Sequence, residues 1–163
     1  MAFQFTALSR RALAVAVLAA LAPLGAWAEA APQVKFQTSM GDFVVELNPE
    51  KAPKTVENFL QYVKAKHYDG TIFHRVINNF MVQGGGYSGS GSEGPTRPPV
   101  PLEAQNGLKN DVGTIAMART MDPNSAAAQF YVKVKNNDFL KASGPADGYT
   151  VFGKVISGME VIN

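Results

Sequence analysis

The chain has 163 residues, 46% hydrophobic and 17% charged, with a formal net charge of +2 and no cysteine. That size and balance suit one globular domain. The lack of cysteine excludes a disulfide framework, a thiolate nucleophile and a thiolate zinc site; so small a positive surplus, without a dense Lys/Arg stripe, argues against nucleic-acid binding.

Residues 1–28 stand apart from the rest. Arg10 and Arg11 form a short basic region, Ala12 to Ala26 is nearly continuous Ala, Leu and Val, and Ala26-Trp27-Ala28 places small residues on either side of a tryptophan. Basic start, short apolar core and A-x-A site are the marks of a secretory signal. The apolar run falls short of the ~20 residues that cross a bilayer. Cleavage after Ala28 is therefore expected, rather than a retained anchor. It leaves one domain over residues 29–163 with no stable membrane association.

Val34–Ser39 and Phe43–Leu47 are apolar-rich runs around Met40-Gly41-Asp42, which predicts a β-hairpin. Pro53 precedes Val56, Phe59, Leu60 and Val63, the spacing of one helical face. Thr71–Ile77 and Phe80–Gln83 read as strands around Asn78-Asn79, and residues 84–101, rich in Gly, Ser and Pro, as a long loop. Gly113–Ala118, Gln129–Val134 and Tyr149–Val155 supply three more strands. In the second of these, Lys133 and Lys135 read as the solvated side. Asp138–Leu140 suggests a helical turn, and Gly158 onward a second helix. Many short strands with one clear helix point to an antiparallel barrel or sandwich capped by helices.

Several motifs carry little chemistry. G-x-G-x-x-G occurs at Gly84, Gly86, Gly89 and again at Gly89, Gly91, Gly94, but the prolines that follow cannot open a dinucleotide-binding helix. His67 and His74 have no third ligand nearby, so no metal site is expected, and His74 reads as a hydrogen-bonded structural residue. Ser88, Ser90 and Ser92 lie in no nucleophile elbow. Arg75, flanked by apolar residues and followed by Phe80, Met81 and Gln83, leaves two readings open: a surface cation, or a fixed guanidinium at the rim of an apolar pocket.

The stretch Phe73-His74-Arg75-Val76-Ile77-Asn78-Asn79-Phe80-Met81-Val82-Gln83-Gly84-Gly85 resembles the cyclophilin signature F-H-R-x-I-x-x-F-M-x-Q-G-G. Gly113–Ala118, Gln129-Phe130-Tyr131, Val151–Val155 and the helix segment Ala52–Phe59 are similar to further family blocks and come in family order. The leader and Ala118-Arg119-Thr120 resemble the periplasmic bacterial branch. The resemblance implies a closed eight-stranded antiparallel β-barrel capped by two α-helices, and a peptidyl-prolyl cis-trans isomerase of the periplasm that helps exported proteins fold. A proline-binding chaperone module with incidental catalysis is the alternative. The resemblance also carries roles. Arg75 would be the catalytic cation, oriented by Gln83. Phe80, Met81, Tyr131 and Leu140 would line the proline pocket, with Tyr149 at its edge, and Phe139 would be a further substrate-binding residue. Ala118, Arg119 and Gln129 would hold an extended substrate backbone. The expected partners are proline-containing unfolded or extended polypeptides, and the expected state is a monomer.

No bond breaks in this reaction. The barrier is lost amide resonance, ~18–20 kcal/mol, so no nucleophile, metal or cofactor is expected. Three positions depart from the family pattern: Tyr131 stands for Phe, Phe139 for a Trp frequent in eukaryotic members, and Tyr149 for a His. The last two help hold cyclosporin in eukaryotic relatives, so weak drug binding is expected. The chain stops at Val161-Ile162-Asn163, inside the second helix and before the strand that closes the family barrel, which reads as a C-terminal truncation.

Overall fold

The computed structural model describes residues 30–140, 143–144 and 147–163; the segment read as a secretory signal, residues 1–28, lies outside them. Strands β1 (Gln33–Thr38) and β2 (Gly41–Leu47) form the expected hairpin, with Thr38 opposite Gly41. Gly41 takes φ +131°, where a side chain would be strained. Phe43, Val45 and Leu47 alternate inward from β2 and are buried.

Helix α1 (Pro53–Lys64) begins with Pro53 but has no capping side chain at Ala52. The carboxylate of Glu103 takes that role from a distant loop, accepting from the backbone N–H of Lys54 (3.2 Å) and Thr55 (2.9 Å) and from the Thr55 hydroxyl (2.7 Å). The helix buries Thr55, Val56, Asn58, Phe59 and Tyr62, while Leu60 and Val63 are only partly covered. The buried face is thus turned toward Tyr62 relative to the predicted one, because two polar side chains have internal partners. Asn58 donates to the Ala127 carbonyl at 2.7 Å, and the Tyr62 hydroxyl accepts from the Arg97 N–H at 2.7 Å.

The remaining elements are β3 (Arg75–Ile77), β4 (Met81–Gly84), β5 (Thr114–Met117), β6 (Phe130–Lys133), a 3₁₀ turn (Asp138–Leu140), β7 (Val151–Ser157) and a single helical turn α2 (Met159–Ile162). β3 starts later than expected, since Thr71 makes only an isolated bridge to Ser88.

All pairings are antiparallel, in the order β1-β2-β7-β5-β6-β4-β3. This corrects the closed eight-stranded barrel: the described residues supply seven strands, β1 and β3 end the sheet, and the curl stays open between them. It is nonetheless tightly wound. Phe36 on edge strand β1 meets Phe130 on β6, four places away in the sheet, with ring centroids 5.4 Å apart. Phe59 of α1 packs into the same space against Phe130 (5.8 Å) and Phe152 (5.1 Å). Edge-to-face rings of this kind fill the inside of the curl.

The sheet has two apolar faces. The inner one carries the main core, including Phe43, Phe59, Ile115, Met117, Phe130 and Phe152. The outer one carries a second cluster of Met81, Ala116, Tyr131, Leu140 and Val151, with Ile77, Phe80, Leu108, Ala118 and Tyr149 packed against it. Strand β6 is therefore buried on both sides, which overturns the reading of Lys133 as solvated: it is 0% exposed.

Candidate active site

The outer cluster is organised by strand register. Arg75 lies opposite Gln83, Gln83 opposite Tyr131, and Tyr131 opposite Ala116. This single row across β3, β4, β6 and β5 places a guanidinium, an amide, a phenol ring and a methyl group side by side on one face. Met81, two residues before Gln83 on β4, shares that face. The 3₁₀ turn brings Leu140 over the row, and the chain leading into β7 brings Tyr149.

These side chains enclose a cavity of about 130 Å³, lined by Arg75, Phe80, Met81, Gln83, Ala118, Arg119, Tyr131, Leu140 and Tyr149. It is small beside the ~300–1,000 Å³ of sites for drug-sized ligands. Its base is buried: Met81 and Tyr131 are almost fully covered, and the Tyr131 hydroxyl has no hydrogen-bond partner in the protein. Burial, with Tyr149 close by, pushes that phenol well above its usual range, outweighing the opposite pull of Arg119.

Polar groups gather at one side. The Gln83 side-chain oxygen accepts from Arg75 Nη1 at 3.5 Å, and its amide nitrogen donates to Gln129 Oε1 at 3.0 Å. Arginine can only donate, so the Gln83 oxygen must face Arg75, and the Gln129 bond fixes that orientation. Arg75 is otherwise exposed at the cavity mouth. Arg119 is held more firmly. Its Nε donates to the Gly148 carbonyl (2.9 Å), its Nη1 to the Thr120 carbonyl (2.9 Å), and its guanidinium lies 4.9 Å from the Tyr149 ring centroid.

Gln129 lies outside the small cavity. It lines a second one of about 280 Å³ that shares Gln83, Ala118 and Arg119 with the first and adds Glu93, Thr96, Thr120 and Ser125. The two therefore adjoin along Gln83, Ala118 and Arg119. Phe139 lines neither. It is 75% exposed and stacks on the outer side of Phe80, with centroids 5.8 Å apart. The expected hydrogen bond of His74 is missing at Nδ1, which is buried without a partner; the ring packs edge-on against Tyr87 at 4.7 Å.

A larger cleft, about 620 Å³, lies elsewhere, between Glu46–Glu50, Gly107–Asp111 and Lys154. Its charges are mixed and it contains none of the residues given a site role from the sequence, so the smaller cavity is the better candidate for chemistry. Ala116 and Val151, buried in the outer cluster, fall within the blocks Gly113–Ala118 and Val151–Val155 but were given no part in the site, and the Gly148 carbonyl that anchors Arg119 was missed. Small side chains and a backbone oxygen announce no role in a sequence.

A family model described as cyclophilin type peptidyl-prolyl cis-trans isomerase matches residues 33–163. A peptidyl-prolyl cis-trans isomerase of Streptomyces antibioticus is 53% identical over 133 residues, 80% of each chain. Peptidyl-prolyl cis-trans isomerase B of Escherichia coli is 50% identical, over 80% of this chain and 81% of its own. Peptidyl-prolyl cis-trans isomerase A of Dickeya dadantii is 48% identical over 94% of this chain and 83% of its own. Among solved structures, a Cryptosporidium parvum cyclophilin-type isomerase, crystallised in the presence of the dipeptide Ala-Pro, superposes with a TM-score of 0.67 at 31% identity, over 80% of this chain and 82% of that one.

Proposed function

The chain belongs to the cyclophilin-type peptidyl-prolyl cis-trans isomerase family and is a peptidyl-prolyl cis-trans isomerase, and from that premise we propose how its cavity performs the reaction and where it acts. The proline ring enters the 130 Å³ cavity and rests on Met81, Tyr131 and Leu140, with Phe80 at its side. The ring is held still while the preceding carbonyl turns. As the amide twists, the proline nitrogen regains its lone pair and becomes an acceptor. Arg75, at the mouth of the cavity, donates to it. That hydrogen bond is available only in the twisted state, so it lowers the barrier rather than merely tightening binding. Each ~1.4 kcal/mol of such selective binding gives tenfold in rate. Gln83 and Gln129 hold the guanidinium on target, and the second cavity takes the flanking residues of an extended chain.

The observation that carries this reading is the row Arg75–Gln83–Tyr131, which sets the cation beside an apolar slot. Its test is Arg75→Ala in a proline-peptide isomerisation assay. Turnover should fall about a hundredfold to a thousandfold with the circular dichroism spectrum unchanged; wild-type turnover by a folded Arg75→Ala protein would remove Arg75 from the chemistry. Arg75→Lys should also be poor, because a point charge cannot copy the planar fork.

The substrates on this reading are proline-containing extended polypeptides outside the cytoplasm, where the isomerase speeds folding of exported proteins. The basic, apolar and A-x-A segments of residues 1–28 support export. The Dickeya dadantii match, covering 94% of the chain, takes in part of that leader. N-terminal sequencing and fractionation of the protein expressed in a Gram-negative host test this: a periplasmic chain beginning at Glu29 is expected, and a cytoplasmic chain retaining residues 1–28 would exclude it.

A further inference from the structure

Two guanidinium groups line the 130 Å³ cavity, those of Arg75 and Arg119, and no carboxylate does. The contacts described for the two arginines are with neutral groups, the Gln83 amide oxygen for Arg75 and backbone carbonyls for Arg119, and the Lys35–Asp42 salt bridge lies elsewhere, on the β1–β2 hairpin. What holds Arg119 in place is neutral: the carbonyls of Gly148, Thr120 and Met121, and the Tyr149 ring. Those carbonyls engage Nε and Nη1 only. Nη2 takes part in none of these bonds and is left as a donor on a cation held by neutral groups. A guanidinium already fixed loses little freedom on meeting an anion, and one that is partly buried is screened less than a surface charge.

Position gives the charge a use. Arg119 lines both cavities, at the join where a substrate leaves the proline slot and runs on into the second depression. Glu93 lines the second cavity but not the first, so the charged side chains that line the proline slot itself are the two arginines. A charged rim of one sign selects partners by sign.

We propose that this isomerase favours prolines flanked by an acidic side chain, with Arg119 as the specificity-determining cation. The inference rests on the isomerase reading and goes beyond it by naming a substrate class. The carboxylate of a Glu or Asp next to the proline meets Nη2 of Arg119, while a Lys there meets two like charges. Arg119 takes no part in the twist itself.

The test is exchange NMR on peptides with uncharged caps, which avoids both a coupling protease and the anion of a succinyl cap. One set carries Glu, Gln or Lys immediately before the proline, a second set carries them immediately after it. With wild-type protein, kcat/KM for Glu should exceed that for Gln about threefold to tenfold in at least one set, the scale of one charge-assisted contact, with Lys below Gln. In 1 M NaCl, where the Debye length is about 3 Å, the ratio should shrink. In R119Q the Glu/Gln ratio should fall to about one; because it is taken within one protein, any general loss of activity cancels. Equal Glu and Gln rates in both sets, or a preference that survives in R119Q, overturns the proposal. No turnover of the Gln peptides would instead strike at the isomerase reading beneath it.

Discussion

Lys133 places its ammonium 4.7 Å from the centroid of the ring of Tyr131, a lining residue of the 130 Å³ cavity, and has no hydrogen-bond partner. Burial lowers the pKa of this lysine to about 7, against a smaller opposing pull from Asp111. The unfolded chain keeps the proton up to the ordinary lysine range of ~10.4. Between pH 7 and pH 10 the unfolded state therefore binds more protons, and folded-state stability rises with pH. The penalty is full below pH 7, on the order of 5 kcal/mol before the ring contact offsets part of it. Lys133→Met, of similar length, should raise the melting temperature most at pH 6, with the advantage shrinking toward pH 10. An advantage that does not vary with pH would mean that the ammonium is solvated in solution.

Tyr131 carries its own cost. Its hydroxyl is buried with no partner, and burial keeps it protonated at any working pH. A buried donor left unmade costs about 1–3 kcal/mol. Tyr131→Phe removes the hydroxyl and keeps the ring against Lys133 and in the wall of the cavity. The unfolding free energy should rise by about 1 kcal/mol in urea titration, with turnover of a proline peptide retained. A loss of stability on removing the hydroxyl would show that it has a partner in solution.

How much of this was legible in the sequence depended on range. The hairpin, α1 and the short strands follow from local pattern, and the motif blocks name the residues that β3, β4 and β6 align in one row. Lys133 was misread because alternation along Phe130–Lys133 implies one wet face, whereas Leu108 and Leu140, from segments on either side in sequence, lie over the outer cluster. The face of α1 turned toward Tyr62 because the partner of its hydroxyl, the Arg97 N–H, lies 35 residues away. Phe139, expected to bind substrate by resemblance, instead stacks on Phe80 and lines neither cavity, a matter of a 3₁₀ turn's orientation that no spacing records. The open curl reflects the absence of an eighth pairing strand among the described residues.

Gly86 shows why a glycine-rich stretch follows β4. A Cβ there would stand 2.6 Å from the Gln129 side chain. That neighbour is flexible and can swing aside, so Gly86→Ala should change the melting temperature little. The displaced Gln129 would, however, release Gln83, and Gln83 would release Arg75. Misplacement of a positioned group by an ångström is enough to lose one to two orders in rate. Gly86→Ala should therefore lower kcat/KM at least about tenfold in a folded protein. Full activity in that variant would mean that the glutamine relay does not position Arg75.

Glu103 is the last group whose role the fold makes explicit. Its carboxylate caps α1 from 48 positions further along the chain than Thr55, accepting from Thr55 N–H and hydroxyl and from Lys54 N–H, while its own N–H donates to the Thr150 hydroxyl at 2.9 Å. It thus ties the first turn of α1 to the loop ahead of β5 and to the start of β7. Two effects act there together: satisfaction of otherwise free N–H donors, and a negative charge at the positive end of the helix. Glu103→Ala removes both and should lower the unfolding free energy by about 1–2 kcal/mol. Glu103→Gln keeps an acceptor without the charge and should fall between, with the gap from wild type narrowing in high salt as the dipole interaction is screened. Glu103 lies outside both cavities that meet at Arg119, so kcat/KM per folded molecule should stay close to wild type at 10 °C. Loss of activity without loss of stability would instead tie this carboxylate to the site through Thr150.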